Sequence, residues 1–201
     1  MEFGNRLIVS CQDRTDWTIP MAVHGGAGGL RVNGVDDVKF ARSVRENIPL
    51  VACWKKDIPG VQVRITPQID MMQGLFRAGA TFVAFDATQR RRLHSVASMV
   101  AAARRWSGMC VADVSTVDEG CDAWEAGADI VATTLFPVFD LEAIRRLATC
   151  GIRVMAEGNI RTPEQARQCL EAGADLVCVG SAITRPHEVT KWFLAALSKG
   201  M

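Results

Sequence analysis

The chain has no tyrosine, three histidines and an aromatic content of only 6%. His24, His94 and His187 have no metal-ligand spacing, so the pattern implies no metal site. An excess of either charge is also missing. With 23 Lys and Arg against 22 Asp and Glu, the formal net charge is +1, which argues against nucleic acid or a membrane surface as a partner. The densest basic run, Arg90-Arg91-Arg92 with His94, has no aromatic platform beside it for bases to stack on. It reads as a loop after a strand end, facing substrate or solvent. No apolar run approaches a membrane span, and Met1 to Arg6 is too polar for a signal peptide, so a cytoplasmic location is expected. The seven cysteines (Cys11, Cys53, Cys110, Cys121, Cys150, Cys169 and Cys178) are odd in number and form no C-x-x-C pair. They read as buried free thiols in a reducing compartment. Gly25 to Gly29 precedes a strand and lacks the third glycine of a dinucleotide fingerprint, so it reads as a strained connection, and no cofactor is implied.

What is present is repetition. Arg77-Ala78-Gly79-Ala80-Thr81, Glu125-Ala126-Gly127-Ala128-Asp129 and Glu171-Ala172-Gly173-Ala174-Asp175 each close a helical run with glycine and open an apolar run. Glycine after a helix supplies the left-handed cap that other residues resist, and short apolar runs suit parallel strands buried on both faces. Eight such runs are expected as strands: Leu7–Cys11, Gly29–Val32, Leu50–Trp54, Thr81–Asp86, Met109–Val114, Asp129–Thr134, Arg153–Glu157 and Leu176–Gly180. Helical patterns lie between most of them, at Asp36–Arg45, Ile69–Arg77, Leu93–Trp106, Val117–Ala126, Leu141–Thr149 and Pro163–Ala172. Pro20 and the glycine run leave room for only a short first helix, over Met21 to His24. Strand and helix alternating eight times in 201 residues with no linker predict one α/β domain over residues 1–201, a compact (β/α)8 TIM barrel. The first and sixth strand–helix connections are shortened.

In that architecture chemistry sits at the carboxyl ends of the strands. The polar residues there are Ser10, Gln12, Arg31, Lys55, Asp86, Asp113, Thr133, Thr134, Glu157 and Ser181. Charged residues are almost never fully buried without a partner, so a ring of them at a barrel mouth points to a site. Lys55 and Glu157 have acid–base potential, whereas a plain salt bridge from Lys55 to a carboxylate is the structural alternative. A lysine serves as a base near neutral pH only when burial or a neighbouring cation favours its uncharged form; Lys56 and Arg31 are the candidate cations. Glu157-Gly158-Asn159-Ile160 follows the seventh strand and Gly180-Ser181 opens the segment after the eighth. In many barrels these two loops hold a phosphate on backbone N–H groups, which makes Gly158, Asn159, Gly180 and Ser181 candidate phosphate ligands.

Several of these stretches resemble the N-acetylmannosamine-6-phosphate 2-epimerase family, a ribulose-phosphate-binding type of β/α barrel. They are Leu7 to Gln12, Ile48 through Asp57, Val63-Arg64-Ile65-Thr66-Pro67, Ala112 to Gly120, Ala156-Glu157-Gly158 and Val179 to Arg185. The resemblance runs from Arg6 to about Leu197. It implies inversion of a sugar phosphate at C2 through an enolate, with Lys55 as acid/base and Glu157 as its carboxylate partner. Arg31 and Asp113 would orient substrate and stabilise charge, Gln12 and Arg185 would hold the sugar and its phosphate end, and a homodimer is compatible with the resemblance. The expected reaction interconverts N-acetylmannosamine 6-phosphate and N-acetylglucosamine 6-phosphate.

The pattern departs from the family in places. Thr133-Thr134-Leu135 runs into Phe136-Pro137-Val138-Phe139 where the family carries a longer excursion, and Asn33 stands where a glutamate is usual. A same-barrel enzyme acting on another phosphorylated sugar or a specialised-pathway intermediate, or a sugar-phosphate binder without turnover, are the other readings.

Overall fold

A computed structural model describes residue 3 and residues 5–198 of the chain. Eight parallel strands close into a barrel in sequence order: β1 Leu7–Ser10, β2 Gly29–Asn33, β3 Leu50–Cys53, β4 Phe82–Asp86, β5 Met109–Asp113, β6 Ile130–Ala132, β7 Val154–Glu157 and β8 Leu176–Val179. Between them run α1 Thr15–His24, α2 Val35–Val44, α3 Ile69–Arg77, α4 Val96–Arg105, α5 Val117–Glu125, α6 Leu141–Thr149 and α7 Pro163–Glu171. A four-residue α8, Ser181–Thr184, and α9, Pro186–Ser198, follow β8.

Side chains alternate in direction along a strand, and the core divides accordingly. Ile8, Val51, Phe82, Ala84, Val111, Ile130, Met155 and Leu176 fill the barrel. Val9, Leu30, Ala52, Val83, Phe85, Ala112, Val131, Ala156 and Val177 pack outward against the helices. The same parity turns Ser10, Arg31, Asp113, Glu157 and Cys178 inward, stacked above the apolar filling.

The repeated glycines close helices as expected. Gly79, Gly127 and Gly173 follow α3, α5 and α7 with φ of 106°, 95° and 105°, a region in which a side chain is strained. The last residue of each repeat has a second use. Thr81 accepts the N–H of Leu50 at 3.1 Å, Asp129 that of Cys110 at 2.8 Å and Asp175 that of Val154 at 2.8 Å. Each thereby satisfies a backbone donor near the start of the preceding strand, at the end of the barrel opposite the mouth.

Three expectations need correction. α1 spans Thr15–His24 rather than Met21–His24 and carries Pro20 inside it. An internal proline typically costs about 3 kcal/mol, but burial of Thr18, Ile19 and Ala22 outweighs it, and the Thr18 hydroxyl donates to the Asp13 and Arg14 carbonyls. α4 begins at Val96 rather than Leu93, because Ser95 caps it by accepting the Ser98 N–H at 3.1 Å. Cys150 is exposed and Cys121 half-buried, so not all of the thiols lie in the core. Within the glycine run, Gly26 holds φ at 85°, and Gly28 has no room for a side chain, since a Cβ there would sit 2.3 Å from the Asn5 carbonyl oxygen.

Candidate active site

The floor of the barrel mouth is an ion cluster. The Arg31 guanidinium reaches from β2 and grips Asp113 on β5 with two bonds, Nη1–Oδ1 at 3.0 Å and Nη2–Oδ2 at 2.6 Å. Its Nη1 also donates to Glu157 Oε2 on β7 at 2.6 Å. Thr134 donates to Asp113 Oδ1 at 2.6 Å from just beyond β6. The Arg31 and Asp113 side chains are 1% and 0% exposed, whereas Glu157 retains 12%. Burial disfavours the Arg31 charge, but the two carboxylates more than offset it and hold the guanidinium above its usual range. For Glu157 the balance tips the other way. Burial, helped by Asp113, pushes its carboxyl above the ordinary value against the opposing pull of Arg31. Beside it, at the paired position on β8, Cys178 is raised by burial and then by Glu157 and stays a neutral thiol.

Over this floor opens a cavity of about 370 Å³. Ser10, Gln12, Lys55, Glu157, Gly180 and Ser181 all line it, together with Gly158, Asn159 and Arg185. The expected Lys55–Glu157 pair therefore shares one cavity, although the chain separates the two by half its length. Lys55 is exposed at the rim, and no carboxylate lies within ion-pair distance of its ammonium among the described residues, which sets aside the plain salt bridge. Arg31 and Asp113 do not line the cavity; they lie behind Glu157. Nor can Arg31 serve as the expected cation beside Lys55, because its charge is committed to two carboxylates. Lys56 is exposed.

The loop after β7 turns sharply, with φ of 99° at Gly158 and 57° at Asn159. A Cβ on Gly158 would meet the Thr133 and Thr134 carbonyl oxygens at 3.3 Å. Opposite, Gly180 packs against Ser10 and opens α8. The N–H groups of Gly158, Asn159, Gly180 and Ser181 find no backbone acceptor among the described residues, which leaves four donors at the cavity wall. Arg185 pairs with Asp13 and donates to Ser181 Oγ at 3.4 Å. Gln12 donates to Ser10 Oγ at 3.0 Å, and its buried Oε1 has no partner. That orphan acceptor beside the cavity suits a ligand hydroxyl or amide.

The Arg90–Arg92 loop turns out to be partly structural. Arg92 donates to the carbonyls of Asp86 and Thr88, and buried Asp86 accepts the Thr88 hydroxyl at 2.6 Å. Sequence reasoning did not single out Trp192 and Arg161, which line the rim with the guanidinium 5.0 Å over the indole. Both lie outside the strand ends where polar residues draw attention. Among the described residues no cluster of His, Cys, Asp and Glu could hold a metal.

The sequence matches the family model described as "Putative N-acetylmannosamine-6-phosphate epimerase" over residues 19–199. The chain belongs to this epimerase family. A relative from Glaesserella parasuis, described as a 2-epimerase of the same sugar phosphate, is 37% identical over 98% of this chain and 92% of its own length. One from Photobacterium profundum is 42% identical over 87% of this chain and 77% of its own. The solved N-acetylmannosamine-6-phosphate 2-epimerase from Clostridium perfringens superposes with a TM-score of 0.90 at 31% identity, covering 95% of this chain and 93% of that one. Membership in an epimerase family gives the polar cavity a catalytic context: an isomerase of amino-sugar phosphates on a TIM barrel.

Proposed function

We propose that this epimerase interconverts N-acetylmannosamine 6-phosphate and N-acetylglucosamine 6-phosphate by removing and returning the C2 proton. The observation that carries the reading is the convergence of Lys55, Glu157 and the free amides of the β7 and β8 loops on one cavity. Phosphate on the four amides and the Ser181 hydroxyl would place the other end of the open-chain sugar against the strand ends. The Lys55 amine takes the proton from C2; the C–H electrons form the C1–C2 double bond and those of the C1 carbonyl move to its oxygen, giving an enolate. Protonation of C2 from the other face, by Glu157 in its carboxylic acid form, re-forms the carbonyl with inverted configuration. The raised Glu157 pKa suits this exchange, because a buried carboxyl that resists ionisation more readily holds the proton it has to deliver. Arg31 and Asp113, behind the cavity, would act through Glu157 by fixing its Oε2 and leaving Oε1 for the substrate.

Incubation with either epimer in heavy water tests the reading. Interconversion with deuterium at C2, abolished in Lys55→Ala while inorganic phosphate still binds, is the expected result. General acid–base groups contribute on the order of 10²–10⁴ in rate, and Lys55→Ala with most of its activity would remove Lys55 from the mechanism. Turnover of another phosphorylated sugar alone would support a changed substrate, and bound but unchanged sugar a silent binder.

A homodimer forms part of the same proposal. α9 buries none of its residues and exposes Phe193, Leu194 and Leu197. The outer face of β8 and β1, where an eighth helix would pack, is an apolar groove of about 560 Å³ walled by Leu7, Val177, Val179, Leu170 and Ile183. The helix lacks a groove and the groove lacks a helix. Two copies exchanging α9 would satisfy both, because burying such side chains stabilises by about 1.5–3 kcal/mol each. Light scattering should give twice the chain mass, and Phe193→Asp should shift it to the monomer; a monomeric wild type would sink the idea.

A further inference from the structure

The Val63-Arg64-Ile65-Thr66-Pro67 run takes no part in the chemistry above, yet it contains an outlier. Thr66 is 1% exposed and holds φ at 46°, a left-handed conformation that β-branched residues avoid. Pro67 narrows the backbone freedom of Thr66 further. Strain of this kind persists only where the surroundings over-determine it, and it points toward a function.

The surroundings are specific. β3 and β4 pair in register only at Val51–Phe82 and Ala52–Val83. Beyond that point the segment 63–66 threads between them. Ile65 forms an antiparallel bridge with Lys55, the Lys56 N–H donates to the Arg64 carbonyl at 3.0 Å, and the Asp86 N–H donates to the Ile65 carbonyl at 2.9 Å. Thr66 grips Trp54, the residue before Lys55, by both backbone groups. Its N–H donates to the Trp54 carbonyl and its hydroxyl accepts the Trp54 N–H, each at 3.0 Å. The same hydroxyl donates to the Ala84 carbonyl on β4 at 2.6 Å. On the other side the Lys55 N–H donates to Asn33 Oδ1 on β2 at 2.9 Å.

We infer that Thr66 is the positioning residue for Lys55. Its left-handed backbone and doubly bonded hydroxyl splice a strap between the diverging ends of β3 and β4 and hold the Lys55 backbone so that the amine is aimed into the cavity. Asn33 completes the clamp. This inference rests on the proposed role of Lys55 in proton transfer.

Thr66→Val keeps the branched shape and removes the hydroxyl, whereas Thr66→Ser keeps the hydroxyl. A catalytic group misplaced by about 1 Å can cost on the order of 10²-fold, so Thr66→Val should lose about tenfold or more in kcat with KM changed by less than about threefold. Thr66→Ser should stay within about threefold of wild-type kcat, and inorganic phosphate should bind equally to all. Full kcat per folded molecule in Thr66→Val, or Thr66→Ser as slow as Thr66→Val, overturns the inference. If Thr66→Val does not fold, Asn33→Ala carries the test with the same expected loss in kcat, and wild-type kcat there overturns it. Lys55→Ala assayed alongside separates the two levels. Turnover by Lys55→Ala defeats the proposed function, whereas an inactive Lys55→Ala beside a fully active Thr66→Val defeats only the role of the strap.

Discussion

Glu157→Gln separates proton transfer from site organisation. The amide has the shape of the carboxylate and its oxygen can still accept the Arg31 Nη1 bond, now 2.6 Å long, but it cannot exchange a proton at C2. Arg31 keeps both bonds to Asp113, so the buried guanidinium does not lose its counter-ion. What is lost is the charge-assisted part of one hydrogen bond, and such bonds contribute about 1.5–3 kcal/mol. Part of that loss is offset because burial raises the Glu157 pKa, which means that ionised Glu157 already costs the native state some free energy. A net loss under about 2 kcal/mol, or a melting point lower by no more than about 8 °C, is expected for a domain of this size. The pH dependence has a definite sign. A carboxyl whose folded pKa lies above its unfolded value contributes stability that is complete below the unfolded value and lost as pH rises through the folded one. Denaturation midpoints measured from acid to neutral pH should therefore move in favour of Glu157→Gln relative to wild type. Epimerisation should fall by about 10²–10⁴, while deuterium still enters C2 of one epimer with retention through Lys55. Epimerisation within about threefold of wild type would refute the assignment. Loss of exchange and inversion together would show that Glu157 organises the site and that Lys55 or a water serves both faces.

Ser181→Asp should weaken inorganic phosphate binding by about tenfold or more while leaving the fold intact, because a carboxylate there repels the dianion and competes for its amide donors; unchanged affinity in a calorimetric titration would place the phosphate elsewhere. Glu119 is buried, which raises its pKa, but the N–H groups of Gln89, Ser115 and Thr116 and the Ser115 hydroxyl outweigh burial and lower it. Its stabilising contribution is present above the unfolded value near 4.5 and lost as pH falls through the lower folded value, so Glu119→Gln should cost about 2–3 kcal/mol at pH 7 and less in acid, measured by urea denaturation. Gly28→Ala should destabilise by about 1–3 kcal/mol, since its Cβ would collide with the Asn5 backbone; a wild-type melting curve would contradict that contact.

The barrel was legible in the chain because its cause is local. Strands buried on both faces must be apolar throughout, helices covering them must be amphipathic, and the glycines at 79, 127 and 173 mark three of the helix ends, where they adopt a left-handed φ. The strand ends were legible for the same reason, since a charged residue after an apolar run has nowhere to go but the mouth. Where propensity and packing disagreed the sequence misled. Pro20 argued for a helix of four residues, and three buried side chains kept ten. The pairing within the mouth was decided only by closure of the barrel. Arg31 lies 82 residues from Asp113 and 126 from Glu157, and no local pattern says that the arginine is spent on two carboxylates instead of facing a substrate or Lys55. Nor does a helical period say what a helix covers: α9 has apolar residues in plenty, and only the closed barrel shows that none of them is buried against its own chain. Sequence sets which side chains can turn inward, because alternation along a strand is a property of the backbone. Which of them meet depends on the register of eight strands around a ring, and that exists only in the folded molecule.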